Sequence, residues 1–247
     1  MPSDLSVRFP ETRGSAIASV ASEDPAARAR AFDVIVRAYW KPVYAHLRLR
    51  WRRPPEDARD LVQGFFARAF EKRHLAGYDP TRARFRTYLR GALDNFVAEE
   101  ARRAARDKRG GGLERLSLDF EVAEEELARN GPRDPSRLET CFDEEWTRRL
   151  FEASLAALER TCREAGKEVH LEIFRRYVLA PGLDDPEERP TYAALATELG
   201  VAVTDVTNHL SWARRTFREC VVEELRAITA TEEELREEAS ALLGRAP

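Results

Sequence analysis

Apolar and polar residues alternate along most of the chain at spacings of three and four positions, which is the pattern of amphipathic α-helices. The first such run follows "SEDP" (residues 22–25), where serine and acidic residues before a proline are a helix start signal. Pro42 lies inside the run and lacks a backbone N–H, so we expect the helix to kink or split there. The apolar positions of this run are Phe32, Ile35, Val36, Tyr39, Trp40, Val43, Tyr44 and Leu47.

Two further helices are predicted before residue 112, and the second of them could instead be two helices that run nearly end to end. "EDARDLVQGFFARAFEKRHL" opens after a pair of prolines, and the loop "GYDPTRAR" separates it from "FRTYLRGALDNFVAEEARRAARDKRGGG". Packed together, the three helices would form a bundle of about 85 residues. The residues expected to face inward are Leu61, Phe65, Phe66, Phe70, Phe85, Tyr88, Leu89, Leu93 and Phe96. The arginines expected near the surface of the third helix are Arg86, Arg90, Arg102, Arg103 and Arg106.

The pattern changes after the glycine run 110–112. Residues 110–137, "GGGLERLSLDFEVAEEELARNGPRDPSR", mix turn formers with acids and predict a linker. Helical periodicity returns from Trp146, and "TYAALATELGVAVTDVTNHLSWARRTFRE" has the spacing of a helix-turn-helix, with a glycine turn and Thr204 as the cap of the second helix. "TEEEL" near the end has the spacing of a capping box. The predicted fold class is therefore all-α, with two helical domains joined by an acidic linker.

Charge is unevenly distributed along the chain. Residues 26–112 hold 21 Lys and Arg against 10 Asp and Glu, a balance of +11, whereas residues 113–145 hold 4 against 11, a balance of -7. A basic domain followed by an acidic connector indicates a protein that binds a polyanion such as nucleic acid.

Several classes of protein are disfavoured by the sequence. It has neither a membrane-spanning apolar segment nor a secretory signal, so we expect a cytoplasmic protein without membrane insertion. Cys141, Cys162 and Cys220 are far apart and are predicted to be ordinary buried or half-buried thiols. No enzyme motif is present, and we expect no catalysis, no metal and no cofactor.

The order of these motifs resembles the ECF-type (extracytoplasmic function) sigma factors of bacterial RNA polymerase. "EDARDLVQGFFARAFEK" is similar to that family's polymerase-binding helix, "FRTYLRGALDNFVAEEARR" to the helices that melt and read the minus-ten element, and the helix-turn-helix to the minus-thirty-five reader. The implied partners are core RNA polymerase and promoter DNA, double-stranded upstream and single-stranded at minus-ten, together with an anti-sigma factor or another regulator. The resemblance divides the chain into an N-terminal extension (1–25), a region 2-like domain (26–112), the acidic linker (113–143), a region 4-like domain (144–226) and a C-terminal helical extension (227–247).

The resemblance also assigns site residues. Holding one displaced DNA strand takes cations for phosphates, aromatic rings for stacking and a pocket for an extruded base, which the loop 79–84 would frame. The minus-ten candidates are Arg82, Arg84, Arg86, Tyr88, Asn95, Arg102, Arg103, Arg106 and Lys108. The candidates for binding the clamp helices of polymerase are Asp57, Asp60, Leu61, Gln63 and Phe66, whereas Phe65 and Phe70 are expected in the core.

The second helix of the helix-turn-helix departs from the usual family pattern, which is richer in Lys and Arg. Val206 and Leu210 should face the core, which turns polar side chains outward, and Asn can read adenine through two hydrogen bonds. The minus-thirty-five candidates are Thr204, Thr207, Asn208, His209, Ser211, Arg214 and Arg215, with His209 also open to a capping or packing role.

The linker has two interpretations. A flexible acidic strand could thread a basic channel of polymerase, with Glu124, Glu125 and Glu126 imitating RNA phosphates, or it could simply stay solvated. Two other functions also stay open: a helix-turn-helix regulator that binds duplex DNA independently of polymerase, and a helical adaptor that binds proteins only. The first leaves the N-terminal domain unexplained, and the second leaves the arginine cluster unexplained.

Overall fold

The computed structural model describes residues 15–71, 74–104, 116–131, 138, 140–180 and 189–244, and within these ranges the regular elements are helical, which confirms the all-α prediction. A 3-10 turn spans His74–Gly77, and a π-helical turn, Arg175–Leu179, directly follows α7. The α-helices are α1 (Ala16–Ser19), α2 (Pro25–Leu49), α3 (Pro55–Glu71), α4 (Phe85–Ala104), α5 (Phe120–Asn130), α6 (Cys141–Glu164), α7 (Glu168–Phe174), α8 (Tyr192–Leu199), α9 (Val203–Ala227) and α10 (Glu232–Leu243).

The chain forms two compact units. The first unit comprises residues 1–145 together with 226–234, and the second comprises residues 146–225 together with 235–247. The first unit is therefore discontinuous in sequence, because a short segment near the C-terminus belongs to it.

Helix α2 begins where the sequence predicts. The Asp24 carboxylate accepts hydrogen bonds from the backbone N–H groups of Ala26 and Ala27 at 3.0 and 3.1 Å, and Pro25 takes the first helical position, where its missing N–H costs nothing. The helix then continues through Pro42 to Leu49 as one element, so the split considered from the sequence does not occur.

The core of the first unit lies between α2, α3 and α4. Phe85, Leu89 and Leu93 of α4 are at most 1% exposed, which confirms the apolar stripe predicted for this helix. The expectation that Phe70 is a core residue is wrong: its side chain is 40% exposed, although its ring lies 4.8 Å from that of Phe32. Phe70 sits in the last turn of α3, where the helix passes the edge of the bundle.

The acidic segment is not a flexible strand over residues 116–131. Asp119 caps α5 by accepting the Val122 N–H at 3.1 Å, and the helix packs against α2. The turn formers that suggested a linker flank α5 rather than interrupt it, as at Gly131. Ion pairs with α2 also hold α5, because Glu124 pairs with Arg48 and Glu126 pairs with Lys41.

The second unit contains the predicted helix, turn and helix. Thr191 caps α8 by accepting the Ala194 N–H at 3.1 Å, and Gly200 ends α8 in the left-handed conformation at φ 65°. That conformation favours glycine because it has no Cβ to clash with the backbone. The buried side chains that join α8 and α9 to α6 and α7 are Leu158, Cys162, Ile173, Phe174, Leu195, Ala196, Val206, Leu210 and Ala213.

The cysteines are buried or half-buried free thiols, as predicted. Burial raises the pKa of Cys141 and of Cys220 to about 11, and it also raises the pKa of Cys162. All three thiols are therefore protonated at neutral pH and poorly nucleophilic.

Candidate nucleic-acid interface

A cleft of about 570 Å³ opens in the first unit between α3, the loop after the 3-10 turn, and α4. Its walls are aromatic and its rim is polar, a combination that suits a planar base with hydrogen-bonding edges. The aromatic residues lining it are Phe65, Tyr78, Tyr88 and Phe96, and the polar residues include Arg68, Asp79, Arg82, Asn95 and Glu99.

The loop at the mouth of the cleft is held by its own hydrogen bonds. The Asp79 carboxylate accepts bonds from the Thr81 N–H at 3.0 Å and from the Thr81 hydroxyl at 2.7 Å, and it pairs with Arg82 at 3.2 Å. The bonds from Thr81, followed by the charge of Arg82, lower the pKa of Asp79. Since Tyr78 also donates to the Ala83 carbonyl at 2.8 Å, the loop is organised before any ligand binds.

Three rings are grouped beside the cleft, and two of them, Tyr78 and Tyr88, line it. The Tyr78 ring lies 5.2 Å from that of Phe85 and 5.3 Å from that of Tyr88. Phe85 is buried, but Tyr88 keeps part of its ring toward the cleft, and burial raises its pKa. Tyr88 therefore offers a stacking surface and a neutral hydroxyl.

An ion pair also lines the cleft. Arg68 of α3 donates a close hydrogen bond to the Glu99 carboxylate of α4, and this bond is the main cause that lowers the pKa of Glu99. The Arg68 guanidinium also lies 5.7 Å from the Phe96 ring centre. The pair fixes the distance between α3 and α4 beside the cleft.

The N-terminus of α4 is capped by a residue from the far end of the chain. The Glu234 carboxylate is 7% exposed and accepts hydrogen bonds from the Phe85 N–H and the Ala230 N–H, both at 2.8 Å. Thr231 accepts the Glu234 N–H at 3.1 Å, which is one half of the capping box that the sequence predicts. The sequence gives no sign of the contact with Phe85, because the two residues lie 149 positions apart.

The arginines of α4 differ in their surroundings. Arg86 and Arg90 keep part of their side chains at the surface, but both are half-buried and pair with Asp143, at 3.4 and 3.2 Å. An acid from α6 had no visible link to α4 in the sequence. Arg102 and Arg103 are exposed as expected, and the Arg103 guanidinium pairs with Glu100 one turn earlier at 2.9 Å.

The remaining minus-ten candidates differ in their position relative to the cleft. Arg82 is exposed at the mouth of the cleft, Asn95 is exposed along its side, and Arg84 is half-buried just before α4. Arg106 and Lys108 lie outside the described residues. The structure thus brings Arg82, Tyr88 and Asn95 together around one cleft, which the sequence could suggest only through the resemblance.

The polymerase-binding candidates on α3 differ in their exposure and in the contacts that they already make. Asp57 and Asp60 are exposed, and Leu61 is half-exposed. Phe66 is 0% exposed and packs in the core, so the prediction that it contacts a partner is wrong. Gln63 exchanges two hydrogen bonds with the backbone of Leu116, so its amide is already engaged.

In the second unit, α9 carries the proposed reading face. Val206 and Leu210 are 0% and 1% exposed, which confirms that they face the core, and Thr207, Asn208 and Ser211 are exposed. Arg214 and Arg215 are exposed two turns later, and the Arg214 guanidinium lies 5.4 Å from the Tyr177 ring centre.

The start of α9 differs from the prediction. The Ala202 carbonyl accepts the N–H groups of Asp205 and Val206 at 3.0 and 3.1 Å, which puts Ala202 at the cap. Since α9 begins at Val203, Thr204 lies inside the first turn and is not the capping residue. Its side chain is exposed.

His209 has the packing role that the sequence left open. Its ring stacks on that of His170 at 3.8 Å, and His170 in turn meets the Trp212 ring edge-on at 5.2 Å. The Lys167 ammonium lies 3.9 Å from the Trp212 ring centre. Burial, with smaller contributions from His209 and Lys167, lowers the pKa of His170. The cluster therefore favours the neutral form of the His170 imidazole.

None of the described helices combines the length and the apolar character that crossing a bilayer requires. The family model for ECF sigma factors matches residues 14–223 of the chain. Comparison with curated proteins and with solved structures gives no significant match.

Proposed function

The chain belongs to the ECF sigma factor family, whose members are non-enzymatic factors of transcription initiation, and on this premise we propose that it binds core RNA polymerase, directs it to specific promoters and helps to melt them. It would act in the bacterial cytoplasm, with core polymerase and promoter DNA as its partners. The nucleotidyl transfer belongs to the polymerase.

The observation that carries the proposal is the cleft beside α4. A base leaves the duplex only if stacking and edge contacts elsewhere offset a cost of a few kcal/mol. Tyr88 supplies a ring face, while Asn95 and Arg82 supply donors at the rim. Because the loop 79–84 is already organised by Asp79, little ordering entropy would oppose base capture.

Phosphate contacts would follow the same helix toward its C-terminal end. Arg102 and Arg103 are exposed in the last turn of α4, so a strand held at the cleft could run along the helix to them. Such contacts position the strand without reading its sequence. Asp57, Asp60 and Leu61 of α3 are the residues we assign to the polymerase clamp helices, since their side chains remain accessible.

Upstream DNA would be read by α9. Thr207, Asn208 and Ser211 form a polar exposed face in the first turns of the helix, the part that reaches base edges in helix-turn-helix docking. Arg214 and Arg215 would bind phosphates. With few cations on this face, the second unit should bind DNA weakly unless polymerase holds it in place.

These roles correspond to a division of the chain that we propose on the family resemblance. Residues 26–112 would bind polymerase and the minus-ten element, residues 113–143 would connect, and residues 144–226 would read the minus-thirty-five element. The segments 1–25 and 227–247 would be extensions of the family pattern.

The test is reconstitution with purified core polymerase and a library of promoters, with strand opening followed by permanganate reactivity of unpaired thymines. We expect opening only with core polymerase, and at a restricted set of sequences. Tyr88→Ala and Asn95→Ala should reduce strand opening while duplex binding persists. The control Ala101→Ser, an exposed change on the same helix, should leave strand opening unchanged.

The alternatives predict different results. Sequence-specific duplex binding without any affinity for core polymerase would favour the independent regulator. Absence of both DNA binding and polymerase binding would favour the adaptor.

A further inference from the structure

The linker helix α5 lies against a basic and aromatic face of α2 and α3, and we call this face the α5 groove. It is formed by Trp40, Lys41, Tyr44, Arg48, Arg59 and Gln63. The Phe120 ring enters it and lies 5.5 Å from the ring of Trp40 and 5.4 Å from that of Tyr44. The Arg59 guanidinium of α3 covers Phe120 from the other side, 5.9 Å from its ring centre.

Acidic side chains hold α5 along α2. The Glu124 carboxylate accepts two hydrogen bonds from Arg48, at 2.9 and 2.5 Å, and one from the Tyr44 hydroxyl at 2.7 Å. The Arg48 bonds are the main cause that lowers the pKa of Glu124, while burial and then Glu124 raise the pKa of Tyr44 to about 12. Two residues further along α5, Glu126 pairs with Lys41 at 2.5 Å, and Lys41 is only 7% exposed.

The segment before α5 engages α3 directly. The Gln63 side-chain amide donates to the Leu116 carbonyl at 2.9 Å and its oxygen accepts the Leu116 N–H at 2.7 Å. The backbone of Leu116 thus satisfies both ends of the Gln63 side chain, which the family resemblance assigns to polymerase binding. Arg59 and Gln63 lie on the flank of α3 next to Asp60, so the docked segment borders the accessible acidic face.

The docking is of a kind that can be reversed. An isolated helix of 11 residues is marginal in water, and among the α5 side chains whose burial the structure describes, only that of Ala123 is buried. The contacts are mainly ion pairs and hydrogen bonds, and although Lys41 and Tyr44 are buried, the Arg48 and Glu124 side chains of the central pair stay partly exposed, so water and salt can compete for it. Elements with few buried apolar contacts are the ones that open at low free-energy cost.

We propose that the segment 116–131 is an intramolecular competitor of core polymerase: when docked, it occupies Gln63 and the adjoining flank of α3, and polymerase must displace it to bind. The inference rests on the proposed function. Only the undocked fraction of molecules is competent, so the apparent affinity for polymerase is reduced by that fraction.

The experiment compares two charge-matched double variants of the full chain. Glu124→Gln with Glu126→Gln removes the two groups that hold α5 in its groove. Glu121→Gln with Glu125→Gln makes the same change in charge on the same helix at exposed positions. Affinity for purified core polymerase is measured for both and for wild type at low and at moderate salt.

We expect the first variant to bind core polymerase about fivefold to tenfold more tightly than wild type and to lose the advantage as salt rises, and the control to bind like wild type. Phe120→Ala, which releases the same segment without changing charge, should also tighten binding. Amide exchange of residues 116–131 in wild type should speed up when polymerase binds, because the segment leaves its groove.

Equal affinity in wild type and in the released variants overturns the competitor role, and weaker affinity shows instead that docked α5 is part of the polymerase-binding surface. Persistent protection of residues 116–131 from amide exchange in the complex also overturns the competitor role, because the segment then stays docked when polymerase binds. Thermal melting of each variant identifies those whose first unit is unfolded, and the exchange measurement on wild type decides the question for them. Failure of every form to bind core polymerase would instead refute the proposed function.

Discussion

Replacing Glu234 by Ala should destabilise the N-terminus of α4 selectively. The carboxylate is the acceptor for the Phe85 N–H and the Ala230 N–H, and the Phe85 bond is buried. Removing it leaves two backbone donors without their partner in a place that admits little water.

The magnitude follows from those two bonds. A hydrogen bond to a charged group contributes about 1.5 to 3 kcal/mol, and loss of one N-cap costs about 0.5 to 2 kcal/mol. Since relaxation will recover part of the loss, we expect about 2 to 4 kcal/mol for Glu234→Ala. Glu234→Gln keeps one neutral oxygen and should fall about halfway between wild type and Ala, because charge-assisted bonds are about twice as strong as neutral ones.

The assay is amide hydrogen exchange of the peptide that spans the start of α4, with urea unfolding as a second measure of stability. A loss of about 2 to 4 kcal/mol raises the exchange rate of the protected amides by about 30-fold to 700-fold. The matched control is Glu233→Ala, which removes an exposed acid from the same first turn of α10 and so the same interaction with that helix dipole.

The reasoning would be refuted if Glu234→Ala and Glu233→Ala gave the same exchange rates at the start of α4. That result would mean that the Phe85 N–H finds another acceptor at no cost. A change of the same size throughout the first unit would instead show that Glu234 supports the whole unit and is not a local cap.

Three further predictions concern DNA and pH. Replacing both Arg102 and Arg103 by Ala should weaken open-complex formation at all promoters and reduce the salt dependence by about one unit of slope per lost phosphate contact; full activity at moderate salt would contradict this. Asn208→Ala should cost about 1 to 3 kcal/mol of binding free energy at one upstream base position, whereas Arg214→Ala should weaken binding to all sequences alike. An unchanged base preference in a selected promoter library would exclude Asn208 as a reader. Because burial lowers the pKa of His170, the unfolded chain binds the proton more readily, so the second unit should be most stable above the ordinary histidine pKa and lose stability as pH falls through it. His170→Gln should flatten that dependence in melting curves recorded between pH 8 and about 5, and an equally steep curve would assign it to other groups.

Local patterns in the sequence predicted local structure well. Asp24 before Pro25 located the start of α2, and the four-residue spacing of Val206 and Leu210 identified the buried side of α9. In each case the physical cause lies within one or two helical turns, so the residues involved are neighbours in the sequence.

Contacts between distant segments were not predictable in the same way. Nothing near Arg86 indicates that its guanidinium meets Asp143, because a half-buried arginine with a distant acid has the same local pattern as a solvated one. The same holds for Glu124, whose acidic neighbours suggested a solvated strand until Arg48 was seen beside it. The sequence therefore indicated the cleft only through the family resemblance. The structure was needed to show which of the candidate residues are already paired.

The cap on α4 also sets an order of events during synthesis of the chain. The Phe85 N–H and the Glu234 carboxylate are 149 residues apart, and a ribosome adds that length in roughly 7 to 30 s. Until then the first turn of α4 lacks the Glu234 cap, while the residues of the second unit are still being added to the chain. The cleft wall beside Tyr78 is thus among the last parts of the first unit to be fixed. A nascent chain halted before residue 234 would lack the cap at the end of the bundle where we propose that a base binds.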